Sequence, residues 1–560
     1  MPMTRRDFLH TGVAAGAALL AGETLWAADP TTADTVLRGA LVFDGTGAPP
    51  FETDIALSAD RIVGVGPRLR AAGAREIDLR GLALAPGFVD IHSHADLPLF
   101  INPRAESKIR QGVTTEVVGQ DGSSIGPWTS EQAARIDEGY RERYNVGLGF
   151  RDLAGFFRTL DQRGAAVNVA SMVGQGTIRG FVVGEDDRPA TEAEIVRMQE
   201  QVREALRAGA CGLSSGLEYT PGAFATATEI AAVAEPLRDT RLPYSTHMRN
   251  EDDRLLAAIE EAINTGRMAG AAVQISHLKC QGERNWWKVD PALQTITEAR
   301  ASGNDVMFDV YPYIAFSTGL ANLFPIHARD GGDEAFIARL SDPAQRPALE
   351  RAVRAKIDQL GSWDSVQVTS THSDVLTWAR GRRLGELATE RDDDPYELLV
   401  RLIVEDRNRA GMVAFGMSEE NVARKLAHPL SIVCSDGGAF APYGPLSEGA
   451  PHPRAYGTFP RVLGHFCREL RTLPLETAIH KMTLLPASRL RLAGRGRIAP
   501  GAFADLVAFD PDRVADGATF SDPHQYPAGI PHVWVNGRAV IRDGEQTGEL
   551  PGRAVRPAAT

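Results

Sequence analysis

A pattern typical of a buried strand runs directly into two histidines at Gly87-Phe88-Val89-Asp90-Ile91-His92-Ser93-His94. Side chains at positions i and i+2 of an extended chain point to the same side. His92 and His94 are therefore placed to bind one cation at the carboxyl end of this strand. Similar apolar runs recur along the chain, and we predict that this strand is the first of a parallel barrel.

Further apolar runs follow, and helical patterns such as 191–208 and 252–265 separate them. Eight β units that alternate with helices predict a closed (β/α)8 barrel, an α/β fold. A doubly wound open sheet is the alternative, but no glycine-rich phosphate loop follows the first strand. The predicted barrel strands cover 87–91, 115–118, 167–172, 211–215, 243–246, 272–276, 305–310 and 430–435.

Short strands with two-residue alternation occupy both ends of the chain, including a hairpin at 532–541 with an Asn536-Gly537 turn. Each set is too small for a core of its own. We therefore predict one composite β-sandwich domain from residues 34–85 and 495–548, and a barrel over 86–494. The stretch 319–427 is too long for one crossover, so we predict an inserted subdomain or lid before the last barrel strand.

The first 28 residues have the order of an export signal. Thr4-Arg5-Arg6-Asp7-Phe8-Leu9 is a twin-arginine pattern, an apolar run over 11–22 follows it, and small residues end it at Ala27-Ala28. This run is too short to span a bilayer, which takes about 20 residues. We expect the segment to be removed and the mature protein to lie in the periplasm or otherwise outside the cytoplasm.

Composition narrows the class of partner. The net charge is -12 at pH 7, which argues against nucleic acid as the main partner. The four cysteines contain no Cys-x-x-Cys pair and do not form a disulfide framework. We expect a small-molecule substrate, no membrane span after signal removal, and no disulfide.

Three further metal-ligand side chains directly follow predicted strands. His247 follows the strand at 243–246, His277 that at 272–276 and Asp436 that at 430–435. The carboxyl ends of barrel strands are the face that carries catalytic sites. Imidazole and carboxylate ligands suit zinc, with water at an open position. With His92 and His94, these residues predict a site for one or two divalent ions.

At these residues the chain resembles the amidohydrolase superfamily and, more narrowly, the N-acyl-D-amino-acid deacylase (D-aminoacylase) family. The His-x-His pair marks only the superfamily, whereas the tracts around Leu213 and His247 point to the deacylases. The resemblance covers nearly the whole chain after the signal. Its markers include Gln111-Gly112-Val113-Thr114-Thr115, Gly212-Leu213-Ser214-Ser215-Gly216-Leu217-Glu218-Tyr219, Thr246-His247-Met248-Arg249-Asn250-Glu251, Ile275-Ser276-His277-Leu278-Lys279, Ser435-Asp436-Gly437 and Pro451-His452-Pro453-Arg454.

The chain departs from that family after the second strand. The family usually offers a metal-binding cysteine there, in an Asn-Cys-Gly turn, whereas this chain has Gly119-Gln120-Asp121-Gly122. Asp121 takes the position of the cysteine, and a carboxylate can bridge two metal ions while being a harder ligand than thiolate. The resemblance thus implies Asp121 as a ligand. Glu218, after the fourth strand, is a rival bridging ligand.

The resemblance also implies a division of roles among the ligands. Asp121, His247 and His277 would hold one ion, and His92, His94 and Asp436 would face a second. The ion would activate water and polarise the amide carbonyl, while Asp436 takes the proton from the water and passes it to the leaving amine.

A deacylase must also bind the α-carboxylate of its substrate. Lys279 lies two residues beyond His277, so both can face one pocket. Tyr311 and Ser317 match carboxylate-binding positions of the family, and Arg454 is a further candidate. A cation with hydroxyl donors is a suitable anion site.

The implied activity is hydrolysis of N-acyl-D-amino acids to a carboxylate and a free D-amino acid, with the D preference resting on the resemblance. A dipeptidase acting on D-residue-containing dipeptides is a close alternative. A cyclic-amide hydrolase usually needs a carbamylated lysine after the fourth strand, and 211–219 contains no lysine. A non-catalytic metal-binding protein on this fold would be expected to lack a ligand or Asp436, and the set is complete.

Overall fold

The computed structural model describes residues 32–558, so the predicted export signal lies outside the described residues. Both strands and helices recur along the whole of this range. The strands are β1 (Thr35–Val42), β2 (Phe51–Ser58), β3 (Arg61–Gly66), β4 (Arg75–Asp78), β5 (Ala83–Pro86), β6 (Phe88–Asp90), β7 (Val113–Val118), β8 (Asn168–Ser171), β9 (Val173–Gly174), β10 (Leu213–Gly216), β11 (Pro243–His247), β12 (Ala272–Ile275), β13 (Val306–Val310), β14 (Ala315–Gly319), β15 (Val366–Ser370), β16 (Gly411–Phe415), β17 (Ser431–Val433), β18 (Leu506–Phe509), β19 (His532–Val535), β20 (Arg538–Arg542) and β21 (Glu545–Gln546).

Helices follow most of the central strands. The helix at Glu192–Ala208 shows why they form: Thr191 and Glu194 make a reciprocal cap at its start, and Gly209 ends it with φ 105°. The α-helices are Pro98–Ile101, Glu106–Ile109, Ser130–Tyr144, Leu153–Arg163, Gln175–Val182, Glu192–Ala208, Ala227–Val233, Leu255–Ala269, Val289–Ala301, Gly332–Ser341, Arg346–Leu360, Leu384–Arg391, Pro395–Glu405, Glu419–Ala427, Arg454–Arg461, Leu475–Met482 and Leu484–Arg489, and a π-helix covers Val462–Glu469.

The central strands form a parallel ring. One sheet has the order β6-β7-β8 and another the order β17-β13-β12-β11-β10-β9. Only Met172 separates β8 from β9, so the two sheets are continuous there. On the other side, Ser93 and Gly437 make a parallel bridge, and the backbone N–H of Asp436 donates to the carbonyl of His92 at 2.8 Å. The α/β barrel predicted from the sequence is confirmed.

The two ends of the chain share one sheet of nine strands, in the order β21-β20-β19-β18-β5-β1-β2-β3, with β4 on β1. Antiparallel pairing of β18 with β5 joins the two sets. Leu37, Leu506 and Trp534 belong to one hydrophobic cluster between these strands. The β19–β20 turn has positive φ at Asn536 and Gly537, as a type I′ turn requires.

The chain between β13 and β17 adds a small antiparallel sheet of order β14-β16-β15. Its first strand starts at Ala315, so the predicted boundary at 319 is too late. Only four residues separate β14 from β13, and with so short a spacing the sequence did not show β14 as a separate strand. At the other end, the helix Glu419–Ala427 packs against β13 and β17 as a barrel helix, so the inserted part ends before it rather than at 427.

Two further features concern the described chain as a whole. Cys211, Cys280, Cys434 and Cys467 are free thiols. Within residues 32–558, no helix combines the length and the apolar character needed to cross a membrane.

Candidate metal centre

The carboxyl ends of the barrel strands open into a cavity of about 920 Å³. Four histidines and two aspartates meet at its floor, and all of them except the fully buried His92 line the cavity. His92, His94, Asp121 and Asp436 offer ligand atoms that all lie within 4.8 Å of one another, and Asp121, His247 and His277 form a second such group. Asp121 is common to both groups.

Asp121 lies at the centre of the four imidazoles. Its Oδ1 is 3.4 Å from Nε2 of His92, and its Oδ2 is 3.5 Å from Nε2 of His94. The same Oδ2 is 3.4 Å from Nε2 of His277 and 3.8 Å from Nδ1 of His247. Both oxygens of the Asp121 carboxylate therefore face the histidines, which is the arrangement expected for a carboxylate that two ions share.

Glu218 occupies a different position. Its Oε2 lies 3.3 Å from Nε2 of His247, and with Glu251 it forms a third group of possible ligand atoms. Of the four histidines, the one that Glu218 contacts is His247. This placement suits a bridging role less well than that of Asp121.

The donor set fits a divalent cation. Among the described residues, both ring nitrogens of His92 and Oδ1 of Asp121 are buried without a hydrogen-bond partner. Leaving buried polar atoms unsatisfied is costly, and a cation among them would satisfy them. Imidazole nitrogens with carboxylate oxygens are ligands that zinc accepts.

The charges of the site point the same way. Burial on its own lowers the pKa of His92, but the Asp121 and Asp309 carboxylates raise it to about 10. Burial on its own also lowers the pKa of His94, but the Asp121 and Asp436 carboxylates raise it to about 10. The carboxylates therefore create a strong demand for positive charge at the centre of the site.

Three residues of the site have left-handed backbone conformations, which non-glycine residues rarely adopt. The φ angles are 52° at Asp121, 33° at His277 and 52° at Asp436. Hydrogen bonds hold two of them: the N–H of His277 donates to Oδ1 of Asp309 at 2.7 Å, and the N–H of Asp436 donates to the carbonyl of His92. The strained turns aim these side chains at the centre of the barrel mouth.

The predicted carboxylate-binding residues lie around Tyr311. The Arg454 guanidinium is 4.8 Å from the centre of the Tyr311 ring and contacts Oδ2 of Asp436 at 2.7 Å. The Lys279 ammonium is 5.6 Å from the same ring and donates to both oxygens of Glu251, at 3.1 and 3.0 Å. A substrate carboxylate that binds Lys279 thus has to share it with Glu251. The Tyr311 hydroxyl is buried and has no hydrogen-bond partner in the part of the chain that the structure describes, and Ser317, on β14, lines the cavity.

The sequence matches the profile of the Amidohydrolase family over residues 75–277 and 370–541. The chain belongs to the amidohydrolase family. It is 37% identical to a D-aminoacylase of Alcaligenes xylosoxydans xylosoxydans, over 93% of this chain and 97% of the relative. It is 39% identical to an N-acyl-D-aspartate deacylase of the same organism, over 94% and 96%.

A solved structure extends the likeness to three dimensions. The N-acyl-D-glutamate deacylase of Bordetella bronchiseptica, complexed with zinc and a phosphonate mimic of the tetrahedral intermediate, matches with a TM-score of 0.78. It is 34% identical, and the match covers 94% of this chain and 100% of that one. The resemblance of this amidohydrolase to the D-aminoacylase branch is confirmed.

Two carboxylates that support the metal centre of this amidohydrolase were missed in the sequence. Oε1 of Glu251 lies 3.1 Å from Nδ1 of His277. Oδ1 of Asp309 accepts from the His277 N–H and lies 3.5 Å from Nδ1 of His92. Carboxylates in this position typically orient ligating histidines. The available signal was weak: Glu251 ends the tract Thr246–Glu251, and Asp309 interrupts an apolar strand.

A buried ion pair ties the first and last barrel strands together just before their ligands. The Lys108 ammonium donates to Oδ2 of Asp90 at 2.9 Å and to Oγ of Ser435 at 2.6 Å, and Asp90 accepts from the N–H of Ser435 at 2.8 Å. Glu116 lies 3.3 Å from the same ammonium. Asp90 lies two residues before His92, and Ser435 lies directly before Asp436. This network therefore helps to hold His92 and Asp436 at a fixed distance from each other.

Proposed function

We propose that this amidohydrolase cleaves the amide bond of N-acyl-D-amino acids, giving a carboxylate and a free D-amino acid. The observation that carries the proposal is the placement of the Asp436 carboxylate. Its Oδ1 lies 3.0 Å from His94 Nε2, within the candidate metal centre at the floor of the cavity. The proposal also draws on the relatives, which cover nearly the whole chain and bear the names of D-specific deacylases.

We propose that one or two zinc ions occupy the centre. His92, His94, Asp121, His247, His277 and Asp436 would hold them. A divalent ion bound there supplies Lewis acidity, which polarises the amide carbonyl and lowers the pKa of water to near neutrality. Asp121 would contribute the shared carboxylate.

Asp436 is the group that would move the proton. Burial on its own raises the pKa of this carboxyl, but the charges of Arg454, His277 and His92 lower it well below its ordinary value. The carboxylate is therefore ionised at neutral pH, as a proton acceptor must be. It takes a proton from the attacking water and donates it to the nitrogen of the leaving amine.

The α-carboxylate of the substrate would lie near Tyr311. The Tyr311 hydroxyl has no partner within the described chain, and the Arg454 and Lys279 cations flank its ring. A hydroxyl donor beside two cations provides both charge and direction for a carboxylate. Ser317, which lines the cavity together with Lys279 and Arg454, would complete this subsite.

A hydrolysis screen on the purified, zinc-supplemented protein tests the proposal. We expect N-acetyl-D-amino acids to be hydrolysed faster than their L enantiomers and faster than D-containing dipeptides. Chelation of the metal should abolish turnover, and added zinc should restore it. Faster turnover of the dipeptides would favour the dipeptidase alternative, and failure to cleave any amide with zinc bound would refute the activity.

We further propose that the protein is exported by the twin-arginine route, on the strength of the Arg5-Arg6 pattern. In a bacterial host with that pathway, activity of the wild type should appear in the periplasmic fraction. Replacing both arginines by lysine should leave the protein in the cytoplasm. The same replacement at Arg68 and Arg70, both exposed in the β domain, is the matched control and should be exported. Equal export of both double variants would refute the proposal.

A further inference from the structure

We infer that the substrate carries a second carboxylate and that Arg329 binds it, an inference that rests on the proposed function of the same site. Arg329 ends a short 3-10 turn, Ile326–Arg329, that follows the inserted strand β14. Its side chain lines the cavity above the metal centre, and the residue is only 8% exposed. The argument depends on what this guanidinium contacts.

Five lysine and arginine residues from the described part of the chain line the cavity. Four of them have a carboxylate partner within 4.0 Å, and Arg329 has none. The four pairs are Arg249 with Glu261 at 2.9 Å, Lys279 with Glu251 at 3.0 Å, Lys356 with Asp252 at 2.6 Å and Arg454 with Asp436 at 2.7 Å.

The contacts that Arg329 does make are neutral. One terminal nitrogen donates to Oδ1 of Asn322 at 2.7 Å and the other to the carbonyl of Glu218 at 2.9 Å. The buried Nε–H has no acceptor within residues 32–558. The carboxylate of Glu218, whose backbone Arg329 binds, contacts His247 instead, at 3.3 Å. A buried charge without a counterion is unfavourable, and an anionic group of a ligand would compensate it.

A chain of hydrogen bonds fixes the orientation of this guanidinium. Nδ2 of Asn322 donates to Oγ1 of Thr318 at 2.9 Å, and that hydroxyl lies 3.2 Å from the hydroxyl of Tyr219. The amide oxygen of Asn322 is thereby held toward Arg329. A planar guanidinium held in one orientation is suited to a carboxylate.

Arg329 and Arg454 lie on different sides of the metal centre. Arg329 donates to the carbonyl of Glu218, two residues after β10 ends, whereas Arg454 pairs with Asp436, which comes after β17. Three strands, β11, β12 and β13, separate β10 from β17 in the sheet. An α-carboxylate held beside Arg454 therefore leaves Arg329 for a different anionic group of the same substrate. That group is either an acidic side chain or an acidic acyl chain.

Paired substrates distinguish these two sources. N-acetyl-D-glutamate is compared with N-acetyl-D-glutamine for the side chain, and N-succinyl-D-alanine with N-butanoyl-D-alanine for the acyl chain. In the wild type, kcat/KM should be about tenfold to a hundredfold higher for the acidic member of one pair, as a charge-assisted hydrogen bond implies. The pair that shows the preference identifies the source.

The acidic-to-neutral ratio in variants assigns the preference to a residue. In Arg329→Met the ratio should fall to about one. Arg339→Met is the matched control, since Arg339 donates to the carbonyls of Ala328 and Asp330 in the same segment and does not line the cavity. It should retain the wild-type ratio. A ratio near one for both pairs in the wild type, or an unchanged ratio in Arg329→Met, would overturn the inference.

Binding separates this inference from the proposed activity. The zinc-loaded Asp436→Asn protein is titrated calorimetrically with the same four compounds, with and without Arg329→Met. Tighter binding of the acidic member that depends on Arg329 would support the inference even if the wild type hydrolysed none of them, and only the proposed function would then fail. Equal binding of the acidic and neutral members would overturn the inference, whatever the activity.

Discussion

Replacing Asp436 by asparagine is expected to lower kcat by roughly a hundredfold to ten-thousandfold, the range for a lost general acid–base. The amide has nearly the shape of the carboxylate but cannot accept a proton from water. The other five ligands, which centre on Asp121, are untouched, and the amide keeps one oxygen that can still face the metal, so zinc content should change little. The loss should therefore appear in kcat rather than in metal binding.

Steady-state kinetics on an N-acetyl-D-amino acid and zinc determination on the same preparation test this expectation. Asp516→Asn is the matched control, because Asp516 also pairs with an arginine, Arg461 at 3.3 Å, but lies outside the metal centre. It should keep wild-type activity. An Asp436→Asn protein that carried its zinc and still retained a tenth of the wild-type kcat would show that another group moves the proton.

The ligands were predictable because each gives a local signal. His92, His247, His277 and Asp436 come directly after an apolar strand, and parallel strands in a barrel bring their carboxyl ends to one face. Alternation of strand and helix then predicts the fold itself. Asp121 differs, because an aspartate before glycine is an ordinary turn residue. Its role as a ligand could be inferred only from the resemblance to the deacylases.

The residues that the sequence did not indicate are defined by distant contacts. Glu251 is recognisable as a supporting group only because the barrel places it against His277, 26 residues away. Arg329 looks like any surface arginine until the fold buries it without a carboxylate. The same holds for the chain beyond the predicted β domain. Gly552 pairs with Ala165, just before β8, and Ala554 pairs with Val169 within β8; such single bridges leave no periodic pattern in the sequence.

Replacing Asp121 by alanine is expected to lower both zinc content and activity, because this carboxylate lies within 3.8 Å of all four histidines. Without it the imidazoles lose the negative charge that offsets the cation, and a ligand shared by two ions disappears. Glu218→Ala is the matched comparison, since Glu218 contacts His247 at 3.3 Å. It should keep more zinc than Asp121→Ala after dialysis against a weak chelator.

Asp121→Cys extends the test to the kind of metal. A thiolate is a softer ligand than a carboxylate and favours zinc over manganese. The ratio of zinc affinity to manganese affinity should therefore be higher in the variant than in the wild type. Competition between the two ions, with bound metal measured after gel filtration, gives this affinity ratio. If Glu218→Ala lost zinc while Asp121→Ala kept it, the shared ligand would be Glu218, and the exchange of cysteine for aspartate would not explain the metal preference. If the affinity ratio rose in Asp121→Cys, the residue at position 121 would determine the metal preference of this chain, because the wild type and the variant have the same four histidines.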